Sequence, residues 1–102
     1  MNKEERDLHH TIGYQVLVCY TIGDQTRIVT QVTVTPQSAL DTKAEWKKHF
    51  ESMASGLADS RINFSTRIEA YKIHNYPSLS KAEGQVGIWP ISDEELLERI
   101  EK

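Results

Sequence analysis

Sulfur chemistry is scarce in this sequence. Cys19 is the single cysteine, so an intrachain disulfide and a cysteine-built zinc centre are both excluded. Within the apolar run Tyr14–Tyr20 its thiol is expected to be buried and reduced. Long hydrophobic runs are also missing: no window approaches the 18 or so apolar residues of a membrane span. The opening residues, Met1 to Asp7, are mixed-charge and lack the apolar core of a secretory leader. These absences lead us to expect a cytoplasmic chain with no membrane partner.

An excess of positive charge is lacking too. The net charge is −3, and the segment from Ser92 to Lys102, with five acids and two bases, carries all of it. The other 91 residues hold ten acids and ten bases. A neutral body gives no reason to expect nucleic acid as a partner. Proline and glycine are few, three and five, and no linker or low-complexity stretch divides the chain. The 102 residues are read as a single domain, 1–102, with residues 1–10 frayed.

What is present is strand and helix patterning. Tyr14–Tyr20 and Thr26–Thr35 are dense in β-branched residues, with Gly23-Asp24 between them, and form a β-hairpin. An odd loop, Gly23-Asp24-Gln25, would set Tyr20 opposite Ile28, Val18 opposite Thr30, Val16 opposite Val32 and Tyr14 opposite Val34. That apolar face makes the odd register the expected one. An even loop would instead set the same β1 residues beside Arg27, Gln31 and Thr33. Pro36 ends the second strand. Thr42-Lys43-Ala44-Glu45 matches a capping box, and Trp46, Phe50, Met53 and Leu57 form a helical stripe. A helix is therefore expected over Thr42 to Ser55, stopped near Gly56.

Arg61 to His74 alternates with period two. Ile62, Phe64, Thr66, Ile68 and Ala70 share one face; after Ala70 the apolar phase passes to Tyr71 and Ile73, which predicts a bulge or an exit from the sheet. A polar loop is expected over 77–84 and a short strand over Val86–Trp89, stopped by Pro90. Ser92-Asp93-Glu94-Glu95 is a second capping box, stapled by Ile91 and Leu96 and followed by an apolar stripe of Leu96, Leu97 and Ile100. The order ββαββα predicts an α+β fold, a small antiparallel sheet with helices packed on one face.

Motifs for chemistry are sparse. Thr-Ile-Gly occurs twice, at Thr11–Gly13 and Thr21–Gly23, but neither glycine opens a helix and no Walker lysine follows, so both are punctuation around a strand and not a phosphate loop. His9, His10, His49 and His74 do not fall at ligand spacing, and no metal or cofactor is expected. No serine sits in an elbow motif, and no catalytic residue is assigned. An enzyme would need a constellation made only by folding, such as His74 near Asp59 or Glu69.

Three surfaces remain as candidates. The polar face of the third strand carries Arg61, Asn63, Ser65 and Arg67; in the odd register the hairpin adds Gln15, Thr21, Arg27, Gln31 and Thr33 to it, an arrangement suited to a phosphate or carboxylate. Tyr71, Tyr76 and Trp89 are aromatic contact anchors, with Trp89 or Tyr71 placed to stack on a base. Glu94, Glu95, Glu98 and Glu101 make the terminal helix an acidic surface for a basic partner. The expected function is that of a small non-catalytic binding protein working by protein–protein contact. Phage and mobile-element accessory or inhibitor proteins that block a host or defence factor are of this kind. Capture of a small anion such as a nucleotide is the alternative, and base rates make a homodimer possible, through a sheet edge or a helix face that would cover Leu97 and Ile100.

Overall fold

The computed structural model describes residues 11–76 and 85–101, and the backbone alone for residues 75, 76, 85 and 86. The expected frayed segment 1–10, with His9 and His10, and the loop 77–84 lie outside these residues. The order is β1 (Thr11–Ile22), β2 (Gln25–Thr33), α1 (Pro36–Leu57), β3 (Phe64–Tyr76), β4 (Gln85–Pro90) and α2 (Asp93–Glu101). The strands form one antiparallel sheet in the order β2-β1-β3-β4. Both helices pack on one of its faces, which is the α+β arrangement expected. The shape is a thin slab of 57 × 30 × 17 Å. Among the described residues no helix lies over the other sheet face.

The inner face follows from the alternation. Tyr14, Val16, Val18 and Ala70 are buried on it, with Tyr20, Val29, Phe64 and Ile68 packed alongside. Ala39 and Phe50 of α1, Ile91, and Leu96 of α2 close the core. Burying a side chain such as Val16, Val18, Phe50, Ile91 or Leu96 stabilises the fold by about 1.5–3 kcal/mol.

The hairpin register is even, not odd. Ile22 pairs with Gln25, Tyr20 with Arg27, Val18 with Val29 and Val16 with Gln31. Turn chemistry overrides the apolar pattern. Gly23 is the one positive-φ residue among the described residues, at 66°, and as the first central residue of a two-residue loop it makes a type II′ turn, whose twist matches the strands. The polar residues this brings to the inner face are accommodated at its edge. Trp46 Nε1 donates to Gln31 Oε1 at 2.7 Å, and Arg27 stays in solvent. The cost of the register falls on the outer face, where Ile28 and Val32 are left 66% and 69% exposed. Cys19, opposite Ile28, is half-buried on that outer face, not in the core.

The first helix begins earlier than the Thr42 capping box indicates. Thr35 is its N-cap: Ser38 N–H donates to Thr35 Oγ1 at 3.1 Å, and Thr35 N–H donates to Ser38 Oγ at 3.2 Å. Pro36 is the first helical residue, where its missing N–H costs nothing. Thr42 lies inside the helix and its hydroxyl donates to the Ser38 carbonyl at 2.8 Å. Gly56 falls in the last turn, with Ala58 as C-cap. Phe50 meets the rings of Tyr20, Trp46 and Phe64 at centroid distances of 5.4, 5.6 and 6.2 Å, fixing the helix across β1 and β3.

The third strand starts at Phe64, so Ile62 precedes it and is exposed. It has no bulge at Ala70. The irregularity is on β1, where pairing with β3 shifts between Thr11 and Gly13. The alternation of β3 simply continues: Tyr71 and Ile73 turn outward and Lys72 and His74 turn inward, both buried.

Candidate functional site

The inward turn of Lys72 and His74 builds a polar end to the core, beneath α2. Ser92 caps that helix as expected, its Oγ accepting from Glu95 N–H at 3.2 Å. The other half of the capping box does not form. Instead the Glu95 carboxylate reaches under the helix to Lys72 Nζ at 3.4 Å and Arg99 Nη2 at 3.6 Å. Arg99 is buried; its Nη1 donates to Thr11 Oγ1 at 2.8 Å and to Tyr14 Oη at 3.3 Å, and its guanidinium lies 6.0 Å from the Tyr14 ring centroid. Hydrogen bonds of this kind are what make a buried guanidinium tolerable. His74 stacks on Trp89 at 5.1 Å. Trp89 folds back over Gly87 so closely that a methyl group there would fall 2.0 Å from the indole.

This cluster orients α2. Leu96 and Arg99 face the core, with Leu96 fully buried, so the expected stripe of Leu96, Leu97 and Ile100 is split. Leu97 and Ile100 point away, 53% and 37% exposed. Glu94, Leu97, Glu98 and Glu101 follow the i, i+3, i+4, i+7 pattern of a single helical stripe. All four are exposed. Of the acids singled out from sequence, Glu94, Glu98 and Glu101 therefore form a surface, while Glu95 is half-buried against Lys72 and Arg99. Lys43 of α1 pairs with the Asp93 carboxylate and ties the two helices together.

The arginines are dispersed. With the even register, Arg27 lies on the helix side of the sheet opposite Tyr20, together with Gln31 and Thr33. Gln15, Thr21, Ser65 and Arg67 share the outer face. Arg61 and Asn63 precede β3, and the Asn63 carbonyl accepts from Gly23 N–H at 2.8 Å. Arg67 Nε sits 3.2 Å from Glu69 Oε1, while the Tyr71 hydroxyl donates to the other oxygen of that carboxylate. Arg67, Glu69 and Tyr71 thus form a polar ladder along the outer face of β3. Tyr76 belongs to β3 by its backbone; its side chain lies outside the described residues. Trp89, on β4, is partly exposed on the helix side, so Tyr71 and Trp89 stand on opposite faces. Glu69 and His74 are likewise on opposite faces, and Asp59 lies in the turn after α1; folding does not join these three.

The Tyr71–Glu69 contact has a measurable consequence. Donation to the carboxylate, then partial burial and the charge of Glu69, hold the Tyr71 hydroxyl above its ordinary value of 10.0, with Arg67 acting in the opposite sense. A raised folded-state value means that the contact stabilises the protein fully below pH 10 and is lost as pH rises through the folded-state value. Titration followed by tyrosinate absorbance is expected to contain a late-ionising component from Tyr71, absent in Tyr71→Phe and returned toward the ordinary range in Glu69→Gln.

Between α1 and β3 runs a shallow groove of three hollows, of about 540, 370 and 420 Å³, which share Ile68 in their lining. Its floor is apolar and Lys43 and Lys47 stand at its rim. Among the described residues no group of three His, Cys, Asp or Glu side chains converges as a metal site would require, and no helix is long and apolar enough to cross a membrane. No protein-family model, curated protein or solved structure matches this chain.

Proposed function

We propose that the chain is a small non-catalytic binding protein that acts by protein–protein contact through the outward stripe of α2, and that it works in the cytoplasm, where its lone thiol stays reduced. The observation that carries this reading is Leu97, 53% exposed at the centre of Glu94, Glu98 and Glu101. An apolar anchor ringed by charge is the pattern of an interface centre and its rim. The helix is already held by Leu96 and Arg99, so binding costs little ordering entropy. The acids favour a basic partner and speed its approach. The role that follows is that of an accessory or inhibitor protein, of the kind phages and mobile elements direct at a host or defence factor.

Capture of a small anion by Arg27, Arg61 and Arg67 has less support, because the three do not share a face and Arg67 is engaged by Glu69. A nucleotide panel is expected to leave the melting temperature unchanged.

The test is capture of the partner from an extract of the protein's own source cells, by wild type and by Leu97→Lys/Glu98→Lys. Removing an interface anchor costs about 2 kcal/mol or more, roughly 30-fold in affinity. Loss of capture by the folded variant, and weakening of wild-type capture by salt, are the expected results. Capture that ignores both the substitution and the salt would refute the reading. Deleting Ser92 to Lys102 is not an equivalent test, since it also removes the buried Leu96 and Arg99.

A further inference from the structure

The sheet face opposite the helices raises a separate question. It carries Ile28 and Val32 on β2, Leu17 and Cys19 on β1, and Ile73 and Ile88 on β3 and β4. Ile28, Val32 and Ile88 are 66%, 69% and 52% exposed. We infer that this face is covered by a second copy of the chain, the two sheets packing face to face about a two-fold axis as a β-sandwich.

Three observations select a second copy over another occupant. The first is charge. Among the described residues the only ionic groups on the face are Arg67 and Glu69, and they pair with each other at 3.2 Å. A neutral face with one charge of each sign is not complementary to nucleic acid, an anionic membrane or a strongly charged protein, but it is complementary to itself, because a two-fold axis sets like patches against each other. The second is area. The four strands hold 12, 9, 13 and 6 residues, each taking about 3.3 Å along the strand and about 4.8 Å across it, which gives a projected footprint of ~600 Å². Side-chain relief brings the accessible area close to the ~800 Å² per partner of a standard stable interface. The third is register. The type II′ turn commits Ile28 and Val32 to this face although a slip of one residue would have set them on the helix side of the sheet. A partner sheet at about 10 Å returns them to an apolar environment.

The inference is independent of the terminal-helix reading: α2 lies on the opposite face, so a sandwich dimer displays two copies of its outward stripe, one on each side.

Light scattering coupled to gel filtration on the full chain, from micromolar to hundreds of micromolar, tests it. The expected mass is twice 11.7 kDa for wild type and for Leu97→Glu, and 11.7 kDa for Ile28→Glu/Val32→Glu with an unchanged far-ultraviolet spectrum. Alkylation of Cys19 supplies a readout without mutation: its rate is expected to rise as wild type is diluted, because the interface covers the thiol. A single-chain mass throughout, a dimer indifferent to Ile28→Glu/Val32→Glu, a ladder of masses beyond two from edge-to-edge pairing along β2, or a Cys19 rate independent of concentration would each overturn it. Loss of partner capture by Leu97→Lys/Glu98→Lys leaves this result untouched, so the two readings fail separately.

Discussion

Replacing Leu96 by alanine is expected to destabilise the protein by about 2–5 kcal/mol, the range for emptying a fully buried leucine site. Leu96 has no solvent exposure and is the one fully buried side chain that α2 contributes. The helix has nine residues, too few to stand alone in water. Its attachment otherwise rests on Arg99, on the Lys72–Glu95 and Lys43–Asp93 pairs, and on the Ile91 N–H donating to the Ala70 carbonyl at 3.0 Å. A small domain has only about 5–15 kcal/mol in total, so the substitution removes a large share. We expect a fall in Tm of roughly 10 °C or more. Hydrogen exchange should also show the amides of α2 losing protection before those of β1 and β3. A Leu96→Ala protein with protected α2 amides would mean that the polar cluster alone holds the helix.

Phe50→Ala should be at least as costly, about 3–5 kcal/mol. Phe50 is 5% exposed and meets four rings, Tyr20 of β1, Phe64 of β3, and Trp46 and His49 of its own helix. Aromatic pairs in such tilted and edge arrangements contribute about 0.5–1.5 kcal/mol each beyond the area they bury. The substitution therefore removes both a volume and an orientation, and α1 loses its grip on the sheet. Urea denaturation is the direct measurement. A midpoint lowered at constant m-value is expected, since the surface exposed on unfolding changes little. A midpoint shifted by less than the equivalent of about 1 kcal/mol, well short of the usual cost of an aromatic truncation, would show that the helix is held mainly by its Lys43–Asp93 and Trp46–Gln31 contacts.

The parts legible in the sequence were those carried by local periodicity. Tyr14, Val16, Val18 and Tyr20 announced the inner face of β1, and Phe64 to Ala70 did the same for β3. Ser92 and Ile91 marked the start of α2. Where two local signals competed, the sequence was ambiguous. At the hairpin the apolar pattern favoured an odd loop and Gly23-Asp24 favoured a two-residue turn, and the turn prevailed because an L-residue without glycine's freedom would strain at φ 66°. At the first helix Thr42-Glu45 had the side-chain types of a capping box, but Thr35-Pro36-Gln37-Ser38 had a box of its own with serine at its third helical position, outside the usual Glu or Gln pattern. The polar cluster was hidden for a different reason. Lys72, Glu95 and Arg99 are ordinary surface residues by composition, and only tertiary packing turns Lys72 and Arg99 inward and draws Glu95 against them. The signal that could have found them is the pair Lys72 and His74 falling on the core parity of β3 once a bulge is not assumed.

The same distinction separates the candidate surfaces. The acidic terminal helix was legible as a surface, but which of its acids face outward depends on how Leu96 and Arg99 dock. The uncovered apolar sheet face was not legible at all, because it is a consequence of the hairpin register.

The central functional claim is that the outward stripe of α2 makes the protein contact. Hydroxyl-radical footprinting of the wild-type complex, against the free chain at the same concentration, tests it most directly. The prediction is that Leu97 and Ile100 become protected on binding while Ile62, exposed beyond the start of β3, keeps its reactivity. Unchanged reactivity at Leu97 in a saturated complex would contradict the claim and move the contact elsewhere on the molecule.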